Sequence, residues 1–397
     1  MNLSFYSQTS EAPCIHFGTC GGCRFQNVPY DEQLFHKESY VRTLFDSIGG
    51  EVRPIIGCHS PWRYRNRMDF SFFQKKTGEK RVGFSQKGKK WGGVDLHQCL
   101  LTNPWMMDTL QAVRTWWQTS VLYAYHPLSN RGTFRTLTLR EGMHTQEKMA
   151  VFTVSGDPEY QLTSLQKEEL TQVILSSHPF SSIILRTQYL AKKTATRFEE
   201  ELLYGKDHIH EILHDDSGRK WIFKIGSQDF FQPNTKQAEV IYQTALTYAE
   251  LKKGDSLLDL YCGAGGFGIF ASPHLSKVWG IEMNATSVKN AHENISLNQV
   301  SNMEVFEGDV GALLKKNSFE SHCMIIDPPR AGLAPKALQE ILSLAIPKIV
   351  YVSCNPKTQV ENCQILKEEG GYRLALVHPI DQFPHTPHVE NIVLLVR

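Results

Sequence analysis

Five short apolar runs organise the second half of the chain. They are Ser256-Leu257-Leu258-Asp259-Leu260, Val278-Trp279-Gly280-Ile281-Glu282, Glu304-Val305-Phe306, Cys323-Met324-Ile325-Ile326-Asp327 and Lys348-Ile349-Val350-Tyr351-Val352. Each is a strand by length and composition, and segments of helical periodicity separate them, notably residues 285–298, 335–344 and 358–369. Strands alternating with helices predict an α/β class with a doubly wound, Rossmann-like parallel sheet, whose ligands sit at the carboxyl ends of the strands. A last strand over residues 392–396 closes the pattern, and in this class of sheet it runs antiparallel to its neighbours.

Before about residue 225 the rhythm is different. Met68-Asp69-Phe70-Ser71-Phe72, Arg81-Val82-Gly83-Phe84 and Thr136-Leu137-Thr138-Leu139-Arg140 alternate with period two, and a helix is expected around Trp105 to Trp117. The first part therefore reads as a mainly antiparallel α+β domain. With a boundary near residues 215–230, the expected division is 1–225 and 226–397.

At 397 residues, 41% hydrophobic and 21% charged, the chain can bury an ordinary core in each part, which excludes a disordered protein. Its longest apolar runs fall far short of the roughly 20 residues that cross a bilayer. The start, Met1-Asn2-Leu3-Ser4-Phe5-Tyr6, lacks a basic segment and an apolar core, so a cytoplasmic protein without membrane contact is expected, as a monomer. Lys+Arg and Asp+Glu total 42 and 41, so net charge says little about partners. Between Arg63 and Lys90, however, ten basic residues interleave with Trp62, Tyr64, Phe70, Phe72, Phe73, Phe84 and Trp91. That mixture suits single-stranded nucleic acid, and equally a hairpin with solvated basic edges and aromatic rings turned into the core.

The turn after the first C-terminal strand, Asp259-Leu260-Tyr261-Cys262-Gly263-Ala264-Gly265-Gly266-Phe267-Gly268, lets backbone approach a ligand closely. Gly263, Gly265 and Gly268 also satisfy a dinucleotide pattern, so an NAD-dependent oxidoreductase is a competing reading. Acids at successive strand ends favour S-adenosylmethionine. Glu282 can accept ribose hydroxyls, Asp309 lies in reach of an adenine ring, and Asp259 can approach a charged methionine end.

Two further motifs share that rim: Asp327-Pro328-Pro329-Arg330 after the fourth strand and Ser353-Cys354-Asn355-Pro356 after the fifth. Arg330 stands where enzymes acting on base amino groups usually place an aromatic residue. Cys354 suits another reaction. Carbon-5 of uracil is too weak a nucleophile to take a methyl group unaided, and thiolate addition at carbon-6 makes it reactive. Asn355 as cap and Pro356 at the first helical position would place a helix start beside Cys354, favouring thiolate. A base must then remove the carbon-5 proton. Glu390, entering the same rim on the antiparallel strand, is the candidate, with His378, His385 and His388 as competitors.

Four of the nine cysteines, Cys14, Cys20, Cys23 and Cys99, are spaced as metal ligands, suited by count to zinc or to a 4Fe-4S cluster. Cys58, Cys262, Cys323 and Cys363 read as packing residues.

Together these motifs resemble the bacterial RNA 5-methyluridine methyltransferases, particularly those acting on 23S ribosomal RNA. The likeness runs from Cys14 to the last strand. It implies uracil carbon-5 methylation of RNA, with 23S rRNA as the leading substrate and transfer RNA, or a catalytically inactive RNA-binding relative, as alternatives. It further implies Cys354 as nucleophile, Glu390 as base, and a 4Fe-4S cluster on Cys14, Cys20, Cys23 and Cys99. Gln232, Tyr261, Glu282 and Asp327 carry over as S-adenosylmethionine contacts, beside Asp259, Gly263 and Asp309 from the residues themselves. One departure is Gly266, where some members have Asn.

Overall fold

The computed structural model describes residues 10–89, 92–190 and 196–397. The start Met1 to Tyr6, and Lys90 and Trp91 of the basic stretch, lie outside the described residues.

The chain opens with helix α1 (Tyr30–Phe45) and a short strand β1 (Glu51–Val52). Strands β2 (Arg67–Gln74), β3 (Lys80–Ser85) and β4 (Gly93–Asp95) follow, then α2 (Pro104–Thr119), β5 (Phe134–Glu141), β6 (Lys148–Ser155), α3 (Ser164–Ser177), β7 (Ser182–Tyr189) and β8 (Arg197–Gly205). These seven strands, β2 to β8, form one sheet in the order β4-β3-β2-β5-β6-β7-β8, antiparallel except where β7 runs parallel to β6 through the α3 crossover. Phe70, Phe72, Trp117, Phe134 and Phe152 fill the core between this sheet and its two helices. At roughly 1.5–3 kcal/mol for each large side chain removed from water, that core is the main support of the sheet. The aromatic residues of the basic stretch are thus mostly structural. Arg67 pairs with Asp69, Lys75 and Arg81 with Glu79, and the Lys80 ammonium donates to the Trp117 and Ser120 carbonyls.

A hairpin of β9 (His208–His214) and β10 (Lys220–Gly226) leads to α4 (Thr235–Ala249) and then to the second sheet. Its elements are β11 (Ser256–Leu260), α5 (Gly266–Ala271), β12 (Lys277–Glu282), α6 (Ala285–Leu297), β13 (Met303–Glu307), α7 (Val310–Lys316), β14 (Cys323–Ile326), α8 (Pro335–Leu344), β15 (Lys348–Ser353), α9 (Pro356–Glu368), β16 (Arg373–Ile380) and β17 (Glu390–Val396). The sheet order is β1-β16-β17-β15-β14-β11-β12-β13, with β11 to β15 parallel and β17 antiparallel to both neighbours.

Alternate residues of the central strands enter opposite cores. Leu257, Val278, Ile325 and Val350 face the side of α4, α5 and α6; Leu258, Ile281, Met324 and Ile349 face the side of α7, α8 and α9. Both faces are covered, which is why these strands carry nearly continuous apolar sequence. The first of these cores continues into Met149, Val151 and Ile184 of the N-terminal sheet and Phe223 of the hairpin. The N-terminal segment also reaches the second sheet directly, since β1 pairs with β16 and α1 packs on α9 and β16. No helix among the described residues is long and apolar enough to cross a membrane.

Candidate active site

The rim at the carboxyl ends of β11, β12, β14 and β15 gathers most of the chemistry-bearing residues. After β11 the chain turns sharply, with positive φ at Tyr261 (62°), Gly263 (54°) and Gly265 (88°). A tyrosine held in the left-handed region is a strained position of the kind that clusters at ligand sites. Glu282 fixes the turn: its carboxylate accepts from the Gly263 N–H at 3.1 Å and from the Asn284 N–H at 2.7 Å. Two bonds leave a carboxylate with spare acceptor capacity for a ligand hydroxyl. At Gly266 a side chain would collide with Tyr242, whose hydroxyl would stand 2.6 Å from the added Cβ. A side chain at this position would therefore need Tyr242 on α4 to shift.

Asp259 is fully buried beneath the loop. Its Oδ2 accepts from the Gly268 N–H at 3.0 Å and its Oδ1 has no partner. Burial, reinforced by the charges of Asp327 and Glu282, pushes its carboxyl up to about 8. Asp327 is likewise pushed up by burial, to about 7. Among the described residues neither Asp259, Glu282 nor Asp327 takes part in an ion pair. Three neighbouring carboxylates and an orphaned buried oxygen make a site that favours a cationic ligand, since an unpaired buried acid is costly. Tyr242, which sequence reasoning missed, also lies here: its hydroxyl is raised by burial and then by Asp327 and Asp259. Its only sequence signal is a tyrosine on the inner face of an amphipathic helix.

Asp309 caps α7, accepting from the Ala312 N–H at 2.9 Å. Tyr261 is pushed up to about 12 by burial and by the charges of Asp309 and Glu282. Gln232 is buried on the approach to α4, where its Oε1 accepts from Gln382 at 3.1 Å and its carbonyl from Asn66 at 2.9 Å.

Cys354 follows β15, and Glu390 opens β17. Ser353 pairs with Asn391 in antiparallel register, so the next residues outward, Cys354 and Glu390, stand opposite each other. Glu390 belongs to the strand itself. Burial, then the charge of Asp327, pushes it up to about 8, against the pull of Arg330. Cys354 is pushed up to about 11 by burial and by the Glu390 and Asp327 charges, while Arg330 opposes them through its charge and a hydrogen bond. The expected thiolate-favouring helix start is thus outweighed by desolvation and two carboxylates. Asn355 is at the N-cap and Pro356 at the first helical position, as expected, but the Asn355 side chain makes no cap bond. It donates instead to the Arg330 carbonyl at 2.9 Å, tying the two motif loops together.

Two of the competing histidines are otherwise engaged. His378 lies 2.5 Å from the Tyr248 hydroxyl and 3.0 Å from the Pro54 carbonyl. His385 stacks on Trp62 with 3.7 Å between ring centroids, and burial drives it down to about 4. The His388 side chain stays accessible on the surface, while its partial desolvation at the rim and then the Arg330 charge lower its pKa. His385 and His388 lie on the loop leading to Glu390, which is clamped from the N-terminal segment. Lys37 and Asp381 form a fully buried ion pair at 2.6 Å, the Tyr30 hydroxyl donates to Asp381 at 2.8 Å, and the Tyr64 hydroxyl donates to the Pro384 carbonyl at 3.1 Å.

The four-cysteine expectation is corrected. Cys14, Cys20, Cys23 and Cys99 line one cavity of about 100 Å³ together with Phe17, Met68 and Arg65. Their sulfurs are not drawn into a tight ligand group: among the described residues, the set close enough to share a metal ion is His144, His214 and Glu239. The Cys20 sulfur accepts instead from the Gly22 N–H, and burial pushes Cys23 and Cys99 up to about 12 and about 11, thiols in an apolar pocket. The residues do not present a 4Fe-4S or zinc cluster. Cys58, Cys262, Cys323 and Cys363 are buried packing residues.

A doubly wound sheet with a glycine turn, strand-end acids and a closing antiparallel strand defines a methyltransferase-like α/β protein. The chain belongs to the tRNA (uracil-5-)-methyltransferase family, whose pattern matches residues 165–309 and 310–397. It is 43% identical over 97% of its length to an uncharacterized RNA methyltransferase of Protochlamydia amoebophila, covering 90% of that protein. A second relative, from Chlamydia pneumoniae and also described as an uncharacterized RNA methyltransferase, is 41% identical over 97% of this chain and 98% of its own. Among solved structures it is similar to the Pyrococcus abyssi tRNA (uracil-54, C5)-methyltransferase in complex with S-adenosyl-L-homocysteine, with a TM-score of 0.74 and 27% identity over 96% of this chain and 86% of that one. The 23S rRNA branch with its iron-sulfur cluster is therefore corrected: the family and this solved relative are both named for transfer RNA, and no four-cysteine ligand group is found among the described residues.

Proposed function

We propose that this chain methylates carbon-5 of a uracil in transfer RNA, with S-adenosylmethionine as donor and Cys354 as covalent nucleophile. The observation that carries the reading is the register that sets Cys354 opposite Glu390 on the rim holding the acid-lined glycine turn.

The residues present fit the donor. Asp259 and Asp327 supply carboxylates for its cationic methionine end, Glu282 for the ribose hydroxyls, and Tyr261 with Asp309 a wall for the adenine. Gly263 would let the backbone pass close, and Gln232, before α4, would add an amide contact. Bound there, the donor supplies an electrophilic methyl group carried on a sulfonium.

Cys354, as thiolate, adds to carbon-6 of the uracil, and the electron pair of the 5,6 double bond moves towards the carbon-4 carbonyl as an enolate. Carbon-5 of that enolate takes the methyl group as the bond from methyl to sulfonium sulfur breaks, and the donor departs as a neutral thioether. The Glu390 carboxylate then removes the carbon-5 proton, the double bond re-forms and Cys354 leaves as thiolate. Arg330 holds charge beside both groups and offsets the penalty of ionising them. Residues 226–397 carry this chemistry; residues 1–225 hold RNA and brace the loop that delivers Glu390.

The test is incubation of the purified chain with donor and, separately, unmodified transfer RNA and 23S rRNA transcripts, followed by nucleoside mass spectrometry. 5-Methyluridine in transfer RNA is expected. Its formation in 23S rRNA alone would overturn the substrate, and its absence from both would overturn the activity.

A further inference from the structure

His144, His214 and Glu239 meet on the side of the molecule where the β5–β6 turn, the end of β9 and the second turn of α4 come together. One ring nitrogen of each histidine and one carboxylate oxygen lie within 4.8 Å of one another. The His214 Nδ1 is 3.1 Å from Glu239 Oε1, and His144 Nδ1 is 3.9 Å from the same oxygen. The rings meet edge to face with centroids 4.6 Å apart. Two imidazoles therefore converge on one carboxylate, where a plain ion pair needs only one.

Zinc held by nitrogen and oxygen at roughly 2.0–2.2 Å in a tetrahedron separates its ligand atoms by about 3.3–3.5 Å. The 3.1 Å between His214 Nδ1 and Glu239 Oε1 is close to that spacing, and one ring nitrogen of His144 lies within 4.8 Å of both. Imidazole with carboxylate selects zinc-like cations over magnesium or calcium, which prefer oxygen throughout. The surroundings are also built. His144 Nδ1 lies 2.6 Å from the Ile212 carbonyl, the outer bond that fixes a ligating histidine's tautomer and leaves Nε2 to ligate. Behind it the buried Glu211 accepts from the Met143 and His144 N–H groups at 2.8 and 3.0 Å, holding the turn that carries His144.

We infer that His144, His214 and Glu239 form a zinc-type divalent-cation site, completed by water. Glu239 lies one turn beyond Thr235, whose hydroxyl donates to Glu211 at 2.7 Å and accepts from Asn66 at 2.9 Å. A cation here ties α4 to the hairpin and to the N-terminal sheet, so its role is to staple these elements together.

The probe is Co²⁺, titrated anaerobically into the full chain, because cobalt bound by nitrogen and oxygen is distinguishable from cobalt bound by thiolate, and the cysteine-lined cavity is a competitor. One equivalent with a ligand-field spectrum free of thiolate charge transfer is expected. His214→Gln should weaken it by more than the roughly 10–100-fold that outer-shell losses cost, with methyl transfer unchanged. Equal uptake by the wild type and by the His144→Ala, His214→Ala double variant, or thiolate charge transfer from all bound cobalt, would overturn the inference. Crystals of the wild type soaked in zinc give an independent readout: an anomalous peak among the three side chains supports the site, and none there refutes it.

Discussion

Cys354 and Glu390 are the next residues outward from the Ser353–Asn391 pair of β15 and β17, close enough for the Glu390 charge to act on the thiol. The Glu390 charge raises the cost of ionising Cys354, the Asp327 charge raises it for both, and Arg330 is the cation that offsets it.

Loss of the thiol should abolish turnover without loss of donor binding. Removing a covalent nucleophile costs about 10⁴-fold or more in rate, so Cys354→Ala is expected to show no measurable 5-methyluridine while binding donor with unchanged Kd in calorimetry. A variant that retains more than a hundredth of the rate would remove Cys354 from the role of nucleophile.

Glu390→Gln should separate two steps. The thiol can still add and the methyl group can still transfer, but the carbon-5 proton has no acceptor, so a covalent, methylated protein–RNA complex should accumulate on denaturing gels. In the wild type the base must be ionised, and Glu390 is raised to about 8, so turnover should increase as pH passes through that value. A profile flat across the same range would place the base elsewhere.

Donor binding should release protons. A cationic ligand favours the ionised forms of Asp259 and Asp327, which stand at about 8 and about 7 without it. Affinity should therefore rise with pH over that range, and calorimetry in buffers of different ionisation enthalpy should detect the released protons. Stability of the unliganded chain runs the other way. These acids bind protons more tightly folded than unfolded, so stability falls as pH rises from the ordinary carboxylate range to about 8. Asp259→Asn should flatten that fall and weaken donor binding.

The Lys37–Asp381 pair is the brace of the Glu390 loop. Stranding one member of a buried pair typically costs about 3–5 kcal/mol, so Lys37→Met should lower the thermal midpoint and reduce kcat more than it changes donor affinity. An unaltered kcat in the folded variant would mean the loop holds its shape without the N-terminal segment.

Much of this arrangement could be read along the chain because the central strands are buried on both faces. Ser256–Leu260 and Pro335–Leu344 coincide with β11 and α8 as expected, and the antiparallel last strand puts Glu390 at the rim. What escaped reading depends on contacts between distant residues. Lys37 and Asp381 are 344 positions apart, and nothing local marks either as a buried partner. The pairing of Glu51–Val52 with β16 is equally non-local, and a two-residue strand carries no periodicity. The cysteine spacing misled for the opposite reason: close positions in sequence suggested a shared ligand, whereas the folded chain leaves the sulfurs lining an apolar pocket.

The covalent step at Cys354 is tested most directly by intact mass measurement of the chain mixed with S-adenosylmethionine and a transfer RNA carrying 5-fluorouridine. Fluorine at carbon-5 cannot be removed as a proton, so a stable adduct of protein, RNA and one methyl group is expected, with its attachment mapped to the peptide containing Cys354. Complete absence of the adduct under conditions where the normal RNA is methylated would contradict the covalent mechanism.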